Sequence, residues 1–172
     1  MVISVMKPTL PIFAAIALAI LSPASAQSAF ENGYLKAFGG AAALFDDAGS
    51  GAPVAGVALG ARPSATSPWA AELELSRRDD DTRATGLMVN AVRDLAEVGG
   101  TRIYAGAGLG AMRLDEGGAS VTNPAAQVML GTATRLGGST DFTLELRHLE
   151  AGDGPTSDAS WTDVTAGIVF GF

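Results

Sequence analysis

Eight stretches of about ten residues, each rich in small and apolar side chains, are separated by short segments of Gly, Pro, Asp and Ser. No long stretch carries the 3.6-residue period of an amphipathic helix. The even number of stretches and their short connections favour antiparallel neighbours, and their length suits a tilted membrane strand. The sequence therefore predicts an all-β fold with strands near 34–45, 53–62, 69–77, 84–94, 101–112, 125–135, 142–150 and 162–172.

Apolar and charged residues alternate most clearly in the third and seventh predicted strands. In "WAAELELSR", Leu73 and Leu75 share one face while Glu72 and Glu74 take the other, and "FTLELRHLE" repeats the pattern. A soluble sandwich with apolar side chains inward shows the same local alternation. The first, second and fifth strands carry too few charges for their faces to be assigned. Alternation alone leaves a membrane barrel and a soluble sheet open.

The first 26 residues have the three parts of a secretory signal. Lys7 precedes the apolar run "LPIFAAIALAIL", and small residues at Ala24 and Ala26 follow it. An anchor helix is the alternative, but about 12 apolar residues fall short of the roughly 20 that cross a bilayer. We expect a signal peptide at 1–26 and one domain at 27–172.

Charge and cysteine content exclude several classes of protein. The formal net charge is −7, and removal of the segment that contains Lys7 makes it about −8, which argues against nucleic acid as a partner. The chain has no cysteine, so it has neither disulfides nor thiolate metal ligands. No apolar run of 18 or more residues follows the predicted signal, so no later helix is expected to cross a membrane.

Aromatic residues mark the ends of several predicted strands. The last strand presents Ile168, Phe170 and Phe172 on one face. In an up-and-down barrel the remaining strand-end aromatics share one rim, where rings suit a membrane–water interface: Tyr34, Trp69, Tyr104 and Phe142. The alternative is that each is a strand-forming core residue.

Three segments, "RIYAGAGLGAMRL", "AAQVMLGTATRLGGSTDFTLELRHL" and the closing "AGIVFGF", resemble the small eight-stranded outer-membrane β-barrels, which include OmpA-like and OmpX-like barrels. Earlier segments fit the same layout, so the resemblance covers the whole predicted mature chain. It implies an eight-stranded antiparallel up-and-down transmembrane β-barrel in the outer membrane, with both termini in the periplasm.

The resemblance also implies partners and roles. A monomer surrounded by outer-membrane lipid and lipopolysaccharide is expected, without a cofactor. The terminal segment, including Phe172, Phe170 and Ile168, resembles the signal read by the outer-membrane insertion machinery. A structural role in the envelope is favoured because the predicted outer loops are short, acidic and Gly-rich, with Trp161 as the sole large anchor nearby. A surface interaction or adhesion protein, a narrow channel and a soluble periplasmic barrel are the alternatives.

The polar face predicts what fills the barrel. An eight-stranded barrel is only wide enough for side chains, and charges confined there must pair. The expected interior charge network comprises Glu72, Glu74, Glu145, Arg147 and Arg135, with Lys36, Arg62, Arg102 and Gln127 as plausible companions. A narrow leak past inward glycines stays open: Gly56, Gly60, Gly106, Gly108 and Gly110.

The predicted outer loops, 46–52, 78–83, 113–124 and 151–160, are short and acidic. The run "DDD" at 79–81 suggests calcium, but it lacks the spaced carboxylates and closing Glu of a calcium loop, so a solvated hairpin tip is favoured and no metal site is expected.

His148 is the one histidine and the one residue that suggests an enzyme. On the strand pattern it shares the outward face of Leu144 and Leu146. A hydrolytic triad needs a nucleophile beside the base, and no Ser lies two residues from His148. The sequence therefore predicts no catalytic residues and no enzymatic activity.

Overall fold

A computed structural model of the protein describes residues 32–42, 52–79, 83–152 and 159–172. The predicted signal peptide and much of the predicted outer loops lie outside these ranges. The described residues form eight strands: β1 Gly33–Ala42, β2 Pro53–Ala61, β3 Trp69–Asp79, β4 Arg83–Val98, β5 Thr101–Glu116, β6 Ala119–Gly137, β7 Thr140–Ala151 and β8 Ala159–Gly171. No helix of the described residues is long and apolar enough to cross a membrane.

The eight strands close into an antiparallel barrel in which each strand pairs with its sequence neighbours and β8 pairs with β1. The closing seam runs from Tyr34 opposite Gly171 to Ala42 opposite Asp163. Closure matters because an open edge would leave a row of unpaired backbone N–H and C=O groups. The predicted fold class is confirmed.

We call the end of the barrel that carries Asn32 and Phe172 the lower end; the β2–β3, β4–β5 and β6–β7 connections also lie there. The strand ends that the β1–β2, β3–β4, β5–β6 and β7–β8 connections join lie at the opposite end, here the upper end. Two connections are Gly-Gly turns, at Gly99–Gly100 below and Gly117–Gly118 above, and all four glycines have positive φ. Positive φ at both central residues matches the right-handed twist of a hairpin.

The prediction of an outer loop at 113–124 is wrong. β5 continues to Glu116 and β6 begins at Ala119, so this segment is almost entirely strand. The sequence pattern did not indicate strands here, because these residues extend beyond the apolar part of the barrel and lack an apolar face. The Gly-Gly pair was the signal that a tight turn divides the segment.

Side chains alternate between a buried interior and an exposed exterior. The interior holds charged residues such as Glu74 and Arg147, both fully buried. The exterior carries a band of exposed apolar side chains, here named the apolar belt: Leu35, Val57, Leu59, Leu73, Leu75, Leu87, Leu109, Val128, Leu130, Leu144, Leu146, Val164 and Phe170. This distribution is the reverse of a soluble domain, in which charged residues are almost never fully buried and large apolar patches are rare.

Two adjacent glycines on β1 test how closely the seam is packed. A Cβ on Gly40 would lie 2.7 Å from Thr165 Cα on β8, whereas one on Gly39 would lie 3.6 Å from Val54 O, an ordinary contact. We expect Gly40→Ala to lower the free energy of unfolding by about 1–3 kcal/mol through overpacking. Urea titration of the refolded protein measures this, with Gly39→Ala as the matched control. Equal midpoints for the two variants would contradict a tight seam.

Candidate functional site: the barrel interior

A lysine joins two carboxylates in the lower half of the interior. Lys36 Nζ on β1 lies 3.0 Å from Glu72 Oε2 on β3 and 3.0 Å from Glu145 Oε1 on β7. Tyr34 OH donates a hydrogen bond of 2.8 Å to Glu72, and Tyr104 OH donates one of 2.6 Å to Glu145. These five residues, here the lysine cluster, connect four strands across the interior.

An arginine pairs with a carboxylate above the lysine cluster. Arg147 Nη2 donates to Glu74 Oε2, and Asn90 Nδ2 donates to the same oxygen at 2.9 Å. Gln127 Nε2 donates to Asn90 Oδ1 at 2.6 Å. The Arg147 guanidinium also lies 4.6 Å from the centre of the Phe38 ring, within cation–π range. These five residues, here the arginine cluster, occupy the middle of the barrel.

A third ion pair and an apolar group occupy the upper half. Arg78 Nε on β3 donates to Asp163 Oδ2 on β8 at 2.9 Å, and the Arg78 guanidinium lies 5.7 Å from the Trp161 ring. Apolar side chains pack together in the interior, with Leu114 and Trp161 against them: Ala84, Met88, Met112, Ala125, Leu149 and Ala151. Side chains therefore fill the interior through its middle and upper parts.

The lower end opens into a cavity of about 570 Å³ whose lining includes Tyr34, Lys36, Glu72 and Tyr104. A chain of ion pairs follows its mouth. Arg62 and Arg102 bind Asp94 at 3.0 and 3.4 Å, Arg102 binds Asp141 at 2.7 Å, and Asp141 binds Arg135 at 2.5 Å. The charges alternate in sign along this chain.

Sequence reasoning missed Asp94 and Asp141, which lie at or beside predicted turns. The alternation of Arg and Asp across neighbouring strand ends was the available signal. Cross-strand pairs of opposite charge stabilise neighbouring strands. The mouth is therefore a cross-linked rim between strands, and the cavity above it ends on the lysine cluster.

The five residues of the predicted interior charge network lie in two different parts of the barrel. Glu72, Glu74, Glu145 and Arg147 are buried in the lysine and arginine clusters, with Lys36 and Gln127 beside them. Arg135 lies outside the clusters: its side chain is 59% exposed and binds Asp141 at the rim. It lies two residues beyond Ala133, the last buried residue of β6, so its inward-facing side chain reaches the mouth.

Two of the four predicted interfacial aromatics point inward instead. Tyr34 and Tyr104 place their hydroxyls in the lysine cluster, because each shares the inward face of its strand. Each lies opposite a glycine in the neighbouring strand, Gly60 and Gly131 respectively, where a Cβ would overlap the ring. Covering a cross-strand glycine with an aromatic ring is a recurrent sheet-stabilising arrangement.

The other two aromatics face outward at the lower end. Trp69 and Phe142 are exposed, and the Arg93 guanidinium stacks 5.2 Å from the Trp69 ring centre. Phe170 and Phe172 are exposed on the same side of β8, and Ile168 is half-buried. The Phe172 N–H donates to Gly33 O at 3.0 Å, so the last residue adds a bond beside the seam.

The inward glycines are covered rather than open. A Cβ on Gly106 would lie 2.9 Å from Met129 Cγ, and one on Gly110 would lie 2.7 Å from Met88 Sδ. Phe38, Tyr34 and Asn90 similarly occupy the space beside Gly56, Gly60 and Gly108. Glycine at these positions makes room for a large neighbour, so these positions do not form a continuous gap.

His148 faces outward at the upper part of β7 and has two polar neighbours. Its Nδ1 lies 2.9 Å from Thr162 Oγ1 on β8, and its Nε2 lies 3.4 Å from Glu150 Oε1. Thr162 lies directly opposite His148 in the register, which a search along one strand could not reveal. Glu150 is 74% exposed and at the limit of hydrogen-bond distance, unlike the buried carboxylate that orients a catalytic histidine.

No group of three or more His, Cys, Asp or Glu side chains that could hold a metal ion occurs among the described residues. Asp80 and Asp81 of the "DDD" run lie outside them.

A closed barrel with charges inside and an apolar belt outside defines the class of transmembrane β-barrels. Two solved structures share the fold. Neisserial surface protein A has a TM-score of 0.67 and 18% identity, over 81% of this chain and 97% of that chain. The N-terminal β-barrel domain of Pseudomonas aeruginosa OprF has a TM-score of 0.64 and 16% identity, over 83% and 98%.

The fold is therefore that of the small eight-stranded outer-membrane β-barrels, as the sequence resemblance implied. No family model and no curated protein matches the sequence. At this level of identity the likeness establishes the fold alone.

The arginine cluster permits a sharp test of interior pairing. Arg147→Met leaves the Glu74 carboxylate buried without its charge partner, so we expect a loss of about 3–5 kcal/mol in the free energy of unfolding. Arg135→Met, at the exposed rim, is the matched control and is expected to cost about 0–1 kcal/mol. Urea titration followed by tryptophan fluorescence measures both. Similar midpoints would show that the Arg147 pair is not needed for stability.

Proposed function

We propose that the protein is a structural component of the outer membrane of a Gram-negative-type envelope, with side chains that fill its interior above the cavity at the lower end. The observation that carries the proposal is the distribution of side chains: a continuous apolar belt outside and paired charges inside. In water such a belt is an aggregation liability, whereas in a bilayer it contacts acyl chains. A soluble periplasmic barrel is therefore disfavoured.

The partners follow from this location. The belt contacts outer-membrane lipid and lipopolysaccharide, and the insertion machinery reads the last strand during assembly. Phe170 and Phe172 support that role, since both are exposed on the outward face beside the closing seam. A single barrel satisfies all strand edges, so no second chain is needed to complete the sheet, in keeping with a monomer.

A non-enzymatic role is supported by His148. The Thr162 hydroxyl lies within hydrogen-bond distance of the imidazole, but the Glu150 carboxylate is exposed and 3.4 Å away, so it does not hold the ring as the buried carboxylate of a catalytic triad does. Adhesion through the upper loops has less support in the described hairpins. Binding hot spots are enriched in Trp and Tyr. Among the described residues near the upper end, Trp161 is the one residue of these two types, and it packs against the interior apolar group.

Cell fractionation tests the location. The wild type is expected in the outer-membrane fraction, with a gel mobility that shifts on heating because the closed barrel resists unfolding in detergent. Phe172→Asp should sharply reduce the amount in that fraction, since it places a charge on the apolar face of the last strand. Phe142→Asp is the matched control, because Phe142 is also an exposed aromatic at the lower end but lies on β7. Wild-type protein in the soluble fraction would refute the proposal, and normal levels of Phe172→Asp would refute the assembly role.

Planar-bilayer recording tests the filled interior. The purified protein is expected to show no large, steady conductance, because an eight-stranded barrel has room for its own side chains and little more. The double variant Glu74→Ala/Arg147→Ala removes the central pair and should increase any small current. Reproducible porin-sized openings in the wild type would contradict a filled interior.

A further inference from the structure

The lysine and arginine clusters together hold more negative than positive charge. They contain two cations and three carboxylates: Lys36, Arg147, Glu72, Glu74 and Glu145. Lys36 Nζ lies 3.0 Å from Glu72 and 3.0 Å from Glu145. Arg147 contacts Glu74, and its Nε lies 3.6 Å from Glu145. These contacts make one chain of five alternating charges, and its surplus carboxylate is buried, where an unbalanced charge is costly.

The remaining cationic side chains of the protein are engaged elsewhere. The sequence has eleven Lys and Arg residues; Lys7 lies in the predicted signal peptide, and the other ten lie within the described ranges. Apart from the two in the clusters, one binds Asp163, three bind aspartates at the rim and four are exposed outside the barrel: Arg78, then Arg62, Arg102 and Arg135, then Arg77, Arg83, Arg93 and Arg113. Water screens the rim pairs, which are partly exposed. The segments after residue 26 that lie outside the described ranges contain no Lys, Arg or His, so the balancing charge must come from a ligand or from a chain terminus.

Two carboxylate oxygens of the clusters accept no hydrogen bond. They are Glu74 Oε1 and Glu145 Oε2, and both side chains are almost completely buried. Arg147 Nε, itself without a hydrogen bond, lies 3.6 Å from Glu145 Oε2, too far to donate to it. Lys36 divides its N–H groups between Glu145 and Glu72. A second cationic donor on Glu72 would therefore let Lys36 serve Glu145 more fully.

The cavity at the lower end gives a ligand access to one end of this chain of charges. Glu72, Tyr34 and Tyr104 line the cavity, whereas Glu74 and Glu145 do not. Each tyrosine donates its hydroxyl proton to a glutamate and keeps lone pairs on its oxygen that can accept from a ligand. One carboxylate and two hydroxyl oxygens match the three N–H donors of a primary ammonium group. Three apolar residues in the lining suit an alkyl chain behind that group: Val92, Ala133 and Val169.

We propose that this cavity binds a primary ammonium group, which donates hydrogen bonds to Glu72, Tyr34 and Tyr104. The ammonium supplies the positive charge that the chain of five charges lacks, and it enters from the lower end, where the cavity opens. At about 570 Å³ the cavity is much larger than a bare ion needs, since one water molecule takes about 30 Å³ of liquid volume, so an organic amine fits. The described residues also offer no group of three or more His, Cys, Asp or Glu side chains for a metal ion.

Two sources of the ammonium group share this chemistry. One is a free amine in the compartment at the lower end. The other is the α-ammonium at Gln27 that cleavage of the predicted signal peptide would create; residues 27–31 lie outside the described ranges. Gln27 precedes Asn32, a lining residue of the cavity, by five positions, and five extended residues span about 17 Å. The site itself requires only the fold, whereas the second source rests on the proposed function, because it needs export and cleavage.

Butylamine binding to the purified protein in nonionic detergent, measured by isothermal titration calorimetry near neutral pH, tests the site. The α-amino group is first acetylated, which is selective because Lys36 is the one lysine after residue 26 and is buried. Butylamine should bind about tenfold or more tightly than 1-butanol, which has the same alkyl chain without the charge. Glu72→Gln should weaken butylamine binding about tenfold or more, since it removes a charge-assisted hydrogen bond. Asp94→Asn, which removes a rim carboxylate from the same cavity, is the matched control and should leave the affinity within about twofold.

Comparison with the unacetylated protein identifies the source of the ammonium. If the α-ammonium of Gln27 occupies the site, the unacetylated protein binds butylamine more weakly than the acetylated protein, and Glu72→Gln speeds acetylation of the α-amino group. If free amines are the natural ligands, acetylation leaves the butylamine affinity unchanged. Either pattern supports the ammonium site.

Four results would overturn the proposal. They are no binding of butylamine, equal affinity for butylamine and 1-butanol, equal loss in Glu72→Gln and Asp94→Asn, and displacement of butylamine by sodium at the concentration of the amine. The comparison of butylamine with 1-butanol needs no variant, so it remains decisive if Glu72→Gln does not fold. Failure of the proposed function is separately visible as absence of the protein from the outer-membrane fraction in cells.

Discussion

The pairing of β8 with β1 is the constraint on which the rest of the structure depends. Closure satisfies the backbone of all eight strands, and in a bilayer no water is available to satisfy an open edge. Once the ring is closed, each residue faces either the interior or the exterior. The alternation of Glu72 and Leu73 then becomes a separation of charge from apolar surface. Close approach at Gly40 and the terminal Phe172 hydrogen bond both belong to this seam.

Closure also makes the interior narrow, and this decides the chemistry of its side chains. Buried charges are tolerated only in pairs with further hydrogen bonds. Lys36 is shared by two carboxylates, and each carboxylate also accepts from a tyrosine hydroxyl. Arg147 and Glu74 are supported by Asn90 in the same way. The interior therefore works as a set of cross-links between opposite walls.

The exterior is apolar in its middle and differs at its two ends. The lower end carries exposed aromatics such as Trp69 and Phe142, which suit a membrane–water interface. At the upper end arginines take their place on β3, β4 and β5.

The sequence by itself determined the number of strands, their antiparallel order and the facing of the charged strands β3 and β7. These features follow from a period of two along one strand and from short connections, both of which are local. It also identified Glu72, Glu74, Glu145 and Arg147 as members of one face. It left the facing of β1, β2 and β5 unassigned, because small residues and glycines dominate those strands.

Only the tertiary structure decided which residues meet. Lys36 contacts Glu145 across 109 positions of sequence, and Thr162 reaches His148 from the neighbouring strand. Tyr34 and Tyr104 point inward because opposite glycines leave room for their rings, and Arg135 lies at the rim because β6 extends past the buried interior. The physical reason is that alternation along a strand specifies a face, whereas contact also needs the register between strands and the point at which the barrel closes.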